Sequence, residues 1–186
     1  MNTVTLSERI HAKCQQQGWY GPALFGPPWD DSAVDDPRRI GFVSSPATKE
    51  QLRATEERLG MAVPSDLLSL YTQVANGGFG PGCGLRGAEG GYRWDEQTIV
   101  EASQSYRSMQ VIDLAGRWIR WPKTLLPLCD LGCDQDGCLD CQSGLVIIVA
   151  PTKHGRAIVP LMRVVAPSLE AWLDAWIQET PLLPTR

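Results

Sequence analysis

The chain has 186 residues, 43% of them hydrophobic and 20% charged, with a formal net charge of −4; this suits one domain that can bury its own core without disulfides or metals. It has no Lys/Arg-rich run of the kind that neutralises phosphates, which argues against direct nucleic-acid binding. The first twenty residues hold no apolar signal core and no apolar run approaches the ~20 residues that span a bilayer, so a cytoplasmic protein with reduced cysteines is expected.

Thr5 to Gln17 predicts a short helix, with Thr5 and Glu8 at capping-box spacing and Leu6, Ile10 and Cys14 recurring every fourth residue. Gly18 to Ser45 is irregular text anchored by Trp19, Tyr20, Phe25 and Trp29, and reads as a long loop wrapping the core. Thr48 is an N-cap with Gln51 as its capping-box partner, and Gly60 ends that helix. Val63-Pro64-Ser65 opens the next helix. Leu67, Leu70, Tyr71 and Val74 form its inner stripe, and Asn76-Gly77-Gly78 stops it. The two make an αα-hairpin. A Gly-rich loop, Gly77 to Leu85, follows. A helix is expected over Glu96 to Met109, with Ile99, Ala102, Tyr106 and Met109 facing inward.

Trp118 to Trp121 leads into a strand region. Leu125 to Cys129, Gly137 to Cys141, Leu145 to Ala150 and Ala157 to Leu161 read as short strands. Turns at Gln142-Ser143-Gly144 and Lys153-His154-Gly155 join some of them. Ser168 caps a last helix whose apolar face is Leu169, Trp172, Leu173, Trp176 and Ile177. There is no internal repeat. The expected fold class is α+β, an antiparallel or mixed central sheet packed by flanking helices. Residues 1–45 would be an N-terminal helix and wrapping loop, 46–180 the domain proper and 181–186 a tail, together one compact unit.

Cys129, Cys133, Cys138 and Cys141 could supply four thiolates to a structural zinc site. Their spacing lacks two knuckles across a longer loop, and Cys138 and Cys141, three apart on one strand, point to opposite faces. Buried or turn cysteines are the better reading, and no metal or cofactor is expected. Asp134-Gln135-Asp136-Gly137 lacks the flanking ligands of a calcium loop, which would fall at Gly132 and Ser143. The Gly-rich loop follows a helix and carries no Lys, unlike a P-loop. His11 and His154 stand in no catalytic signature. No enzymatic activity is expected. Trp172 and Trp176 belong to the core, whereas Trp94, Trp118 and Trp121 sit near element ends and fit either core or interface. Asp130, Asp134, Asp136 and Asp140 gather in a stretch, Thr124 to Thr152, that holds no Lys or Arg. They form a possible acidic face for a basic partner.

From Pro46-Ala47-Thr48 the motifs continue through Glu57, Leu59-Gly60, Val63-Pro64 and Leu70-Tyr71 to Asn76-Gly77-Gly78-Phe79-Gly80. Leu126 to Cys133 and Glu170-Ala171-Trp172-Leu173 follow. In order and spacing they resemble the SUKH superfamily of Smi/Knr-type cell-wall-synthesis regulators and bacterial immunity domains. The chain departs at Asp134-Gln135-Asp136, polar where such proteins often carry an apolar strand residue. The resemblance implies a mixed sheet packed by helices and a non-enzymatic, protein-binding role. An immunity protein that neutralises a cognate toxin, often a nuclease, is the first implication. A regulatory or scaffold interaction module is the alternative, and a zinc-binding or redox protein built on the Cys129–Cys141 tract is a third. The scaffold is implied more firmly than any binding face.

Overall fold

The computed structural model describes residues 4–16, 44–154 and 157–182. Residues 18–43 of the expected wrapping loop, with its anchors Trp19, Tyr20, Phe25 and Trp29, lie outside the described residues, as do residues 183–186. In chain order the elements are α1 (Leu6–Gln16), α2 (Lys49–Leu59), α3 (Ser65–Gln73), α4 (Ile99–Tyr106), β1 (Gln110–Ile112), β2 (Trp118–Arg120), β3 (Leu125–Asp130), β4 (Asp136–Asp140), β5 (Val146–His154), β6 (Ala157–Ala166) and α5 (Leu169–Ile177).

The helix starts follow from capping chemistry. The Thr48 hydroxyl accepts from the Gln51 amide at 3.2 Å, and the Gln51 side chain accepts from the Thr48 amide at 2.8 Å. Gly60 takes φ +71° and its amide donates to Glu56 O at 2.9 Å. The Glu56 carboxylate accepts the Val63 amide at 2.9 Å, which fixes the entry into α3. The fourth helix is shorter than the expected Glu96 to Met109. Asp95 and Glu96 adopt φ +51° and +60°, outside the right-handed basin. Thr98 takes the cap instead, with Glu101 as its capping-box partner. The far end of that expected helix leaves off at Tyr106, and β1 begins four residues later at Gln110.

The sheet order is β2-β1-β6-β5-β4-β3, antiparallel throughout except for the parallel β1/β6 pair. The register slips between Pro127 and Cys129, at a residue with no N–H to give the ladder. The two edge strands, β2 and β3, are consecutive in the chain. The five Cα steps from Arg120 to Leu125 reach at most ~18 Å, whereas the edges of a flat six-stranded sheet stand ~24 Å apart. The sheet must therefore curl. Inside the curl lies a cluster of Val111, Trp121, Leu125, Cys138, Ile147, Val149 and Met162. The Trp121 ring meets Tyr106 edge-on at 4.8 Å, and its indole N–H donates to Leu125 O at 2.9 Å.

The other face carries the larger core. Leu126, Leu128, Cys129, Leu139 and Val146 pack with side chains of α2, α3 and α5, including Leu59, Leu67, Tyr71, Trp172 and Leu173. Trp172 is 1% exposed, and a Cβ at Gly137 would stand 2.9 Å from its ring. Only glycine leaves room on β4 for the indole.

Between α3 and the sheet runs a segment, residues 74–88, that is wholly buried yet neither helix nor strand. Its backbone is satisfied piece by piece. Gly78 N–H donates to Leu85 O, Leu85 to Phe79 O, Cys83 to Asp130 O and Arg86 to Leu128 O, all at 2.7–2.8 Å. The last two bonds occupy the edge of β3. Asn76, 1% exposed, clamps the loop: its side-chain oxygen accepts the Ala88 amide at 2.7 Å and its side-chain nitrogen donates to Glu89 O at 3.2 Å. Tyr71 Oη donates to Arg86 O at 2.6 Å. Gly82 sits so close to β3 that a Cβ would lie 2.0 Å from Asp130 O.

Trp172→Ala should lower stability by ~3–5 kcal/mol in chemical denaturation, the usual cost of deleting a buried large aromatic; a cost below ~1 kcal/mol would mean that this helix face is not core. A second expectation concerns Glu101, which joins α4 to α2 through Arg58 at 2.9 Å. Burial opposes its ionisation, but hydrogen bonds from Thr98 and Arg58 outweigh that and bring its carboxyl down to about 2. A carboxyl depressed in the folded state stabilises above its unfolded pKa, near 4.5, and loses that contribution as pH falls towards about 2. Glu101→Gln should therefore lower the Tm at neutral pH, and the gap to the parent should close between these two pH values. A gap independent of pH would show that the charge contributes nothing.

Candidate protein-binding surface

At the end of β3 the chain reverses through Gly132, Cys133 and Asp134, whose φ values are +84°, +52° and +58°. Gln135 N–H closes the turn on Gly132 O at 3.0 Å, and Asp130 Oδ1 accepts the Gly132 amide at 2.5 Å. A second tight turn adjoins it. Trp94 and Gln97 exchange both backbone hydrogen bonds, at 3.1 and 3.0 Å, around Asp95 and Glu96. Positive φ at both central residues is the type I′ arrangement, which favours Asn-Gly, not an Asp and a Glu. The half-buried Trp94 fastens the two turns together, donating its indole N–H to Asp130 Oδ2 at 3.2 Å. The outcome is an acidic pole in which Asp95, Glu96 and Asp134 are exposed. Four non-glycine residues there hold left-handed backbone, a strained state found at sites where neighbours dictate the conformation.

The expected acidic face is thus partly redrawn. Asp134 is at its surface. Asp130 is half-buried and serves the turn. Asp136 points inward: Arg86, 3% exposed, lies 3.5 Å away, and Tyr106 Oη donates to the other carboxylate oxygen at 3.0 Å. Burial raises the Asp136 pKa, with Arg86 and Tyr106 working against the rise. Arg86 also reaches Pro127 O at 3.4 Å, while its Nε has no hydrogen-bond partner. Asp136 therefore compensates a buried cation and cannot be offered to a partner without leaving Arg86 unpaired. Asp140 lies at the opposite end of β4, ~13 Å along the strand. It holds the next turn, accepting from the Gln142 amide at 3.2 Å and the Ser143 hydroxyl at 2.5 Å. Asp95 and Glu96 belong to the acidic pole but escaped the sequence reading, because the helix expected from Glu96 hid the turn.

The tryptophans separate in the same way. Trp121 is 4% exposed and belongs to the inner cluster, so it is no interface residue. Trp94 acts as the tie between the turns. Trp118, 53% exposed, is the one of the three that faces solvent.

The thiols are dispersed. Cys129 and Cys138 lie on opposite sheet faces, Cys133 is exposed in the strained turn, and Cys141 borders the larger core. Burial pushes the Cys83 and Cys141 pKa values up to about 12 and that of Cys14 to about 11, and raises those of Cys129 and Cys138 as well. Such thiols stay protonated at neutral pH and are weak nucleophiles. No group of three or more His, Cys, Asp or Glu among the described residues is arranged to hold a metal ion. His11, exposed on α1, has its Nε2 3.1 Å from Gln73 O. No described helix is long and apolar enough to cross a membrane.

No curated protein matches the chain. The profile of the SMI1/KNR4 family (SUKH-1) matches residues 46–175, well over half of the sequence and all of the scaffold from the Thr48 cap to α5. The chain belongs to the SMI1/KNR4 family (SUKH-1).

Proposed function

We propose that this protein is a non-catalytic binding module whose acidic pole recognises a basic protein, and that it serves as an immunity protein neutralising a cognate toxin domain, a nuclease being the best chemical fit. The observation that carries this reading is the pair of tied turns. They present Asp95, Glu96 and Asp134 on backbone fixed by the Trp94–Asp130 bond. Preformed carboxylates spend little ordering entropy on binding. A nuclease cleft must be basic to hold phosphates, and a rigid acidic surface is complementary to it and steers it in. Membership of the SMI1/KNR4 family agrees with a role in protein interaction.

Two outcomes are expected. Asp95→Asn combined with Asp134→Asn removes two exposed charges, and Asn tolerates the left-handed backbone as Asp does, so the Tm should hold. Association with the cognate toxin domain should slow severalfold at low salt, and the difference should shrink as ionic strength rises. Stopped-flow association rates that match the parent at low salt would place recognition elsewhere. Glu96→Gly relieves left-handed strain at an exposed position and should stabilise the free protein by ~0.5–1 kcal/mol in urea denaturation. It should also weaken the complex by loosening the turn. Unchanged stability would show that the turn stores no strain.

A further inference from the structure

The other edge strand of the sheet, β2, has the opposite character to β3 and its turn. Residues 107–123 hold Arg107, Arg117, Arg120 and Lys123 against Asp113 alone, in a chain whose net charge is −4. Arg117 is tied to Asp113 at 2.7 Å, and Arg107 donates to Leu59 O at 2.7 Å. Arg120 and Lys123 are exposed and form no ion pair among the described residues. Beside them stand the exposed apolar side chains of Trp118 (53%), Leu114 (55%) and Met109 (38%).

The register places these groups. Ile112 pairs with Trp118 and Gln110 with Arg120, so Trp118 and Arg120 share one face of β2. Ile112 also pairs with Leu161, which puts Arg163, two strands in, on that face too. Among the described residues β2 pairs on one side only, with β1. Edge strands are often guarded by charge against stray pairing, and that would account for Arg120. It does not account for an exposed tryptophan and leucine on the same hairpin, which add the apolar surface that guarding removes. Trp and Arg side by side are the pair most enriched where binding energy concentrates.

We infer that the β2 edge is a second interaction surface, which takes an extended acidic segment of a partner protein as an added strand. Its main chain would pair with Trp118–Arg120, an apolar side chain would cover Trp118, and its carboxylates would face Arg120 and Lys123. This surface lies on the other edge strand from the acidic turn and carries the opposite charge.

The probe is a short fluorescein-labelled peptide of the repeat Val-Thr-Glu-Thr, in which Val and Glu alternate along one face of the added strand as Trp118 and Arg120 do on β2, followed by fluorescence anisotropy at low ionic strength. Saturable binding is expected. Trp118→Ala and Arg120→Glu, both at exposed positions, should each weaken it about tenfold or more, as loss of an anchoring residue does. N-methylation of alternate peptide amides should abolish it, since methylated amides cannot donate to the ladder. Asp134→Lys should leave it unchanged, which separates failure here from failure of the acidic-pole reading. The inference is overturned by absence of saturable binding, by equal binding of the peptide in which Lys replaces Glu, by indifference to both substitutions, or by indifference to N-methylation.

Discussion

Asn76 and the buried loop it closes are what the rest of the structure depends on. Residues 74–88 cross the interior with no ladder of their own, and every polar backbone group left unpaired there would cost on the order of 1–3 kcal/mol. The fold solves this locally. Asn76 alone uses four groups: its amide donates to Ser45 O, its carbonyl accepts from Tyr92, and its side chain binds Ala88 N–H and Glu89 O. One of these bonds ties Ser45, and the other three tie the stretch from Ala88 to Tyr92, to the end of α3. The loop in turn lies along β3 through Cys83 and Arg86, so the helices and the sheet edge are joined through backbone, not through side-chain packing alone.

The functional geometry follows from that connection. Gly82 touches β3 at Asp130, and Asp130 holds both its own turn and the Trp94 indole. The acidic pole therefore rests on the loop. At the other side, the four residues between β2 and β3 force the sheet to curl and sequester Trp121 while Trp118 stays outside. The two poles thus have separate origins, one in the glycine loop and one in the short β2–β3 link. Charges of opposite sign thus gather on the two edge strands of one small sheet. In the buried Arg86–Asp136–Tyr106 group the carboxylate is an internal counter-charge although in the sequence it reads like its neighbours.

Much of the scaffold was legible because its signals are local. Thr48 with Gln51, Gly60 at the end of α2, Ser168 before α5, and the stripe of Leu169, Trp172, Leu173 and Trp176 each declare their structure within a few residues. The α+β class and the family followed from the order of these marks. β1 was missed because three residues cannot display an alternating pattern. The start of α4 was misplaced because nothing local to Glu96 announces a left-handed backbone. That conformation is enforced by the Trp94–Gln97 closure and the Trp94 bond to Asp130, thirty-six residues away. For the same reason the surface was only half readable. The run of aspartates was visible, but which of them faces solvent depends on Arg86, a cation buried by a loop whose path the sequence does not reveal.

Native-state hydrogen exchange at the loop amides tests the central claim most directly. If the Asn76 clamp and the buried loop hold helices and sheet together, the amides of Gly78, Leu85, Arg86 and Ala88 open only when the whole protein unfolds. Their exchange free energies should then equal the global stability and match those of the central β5 amides. Exchange of these four amides through a local opening, at free energies well below the β5 value, would contradict the account and make the loop a passenger on a core that stands without it.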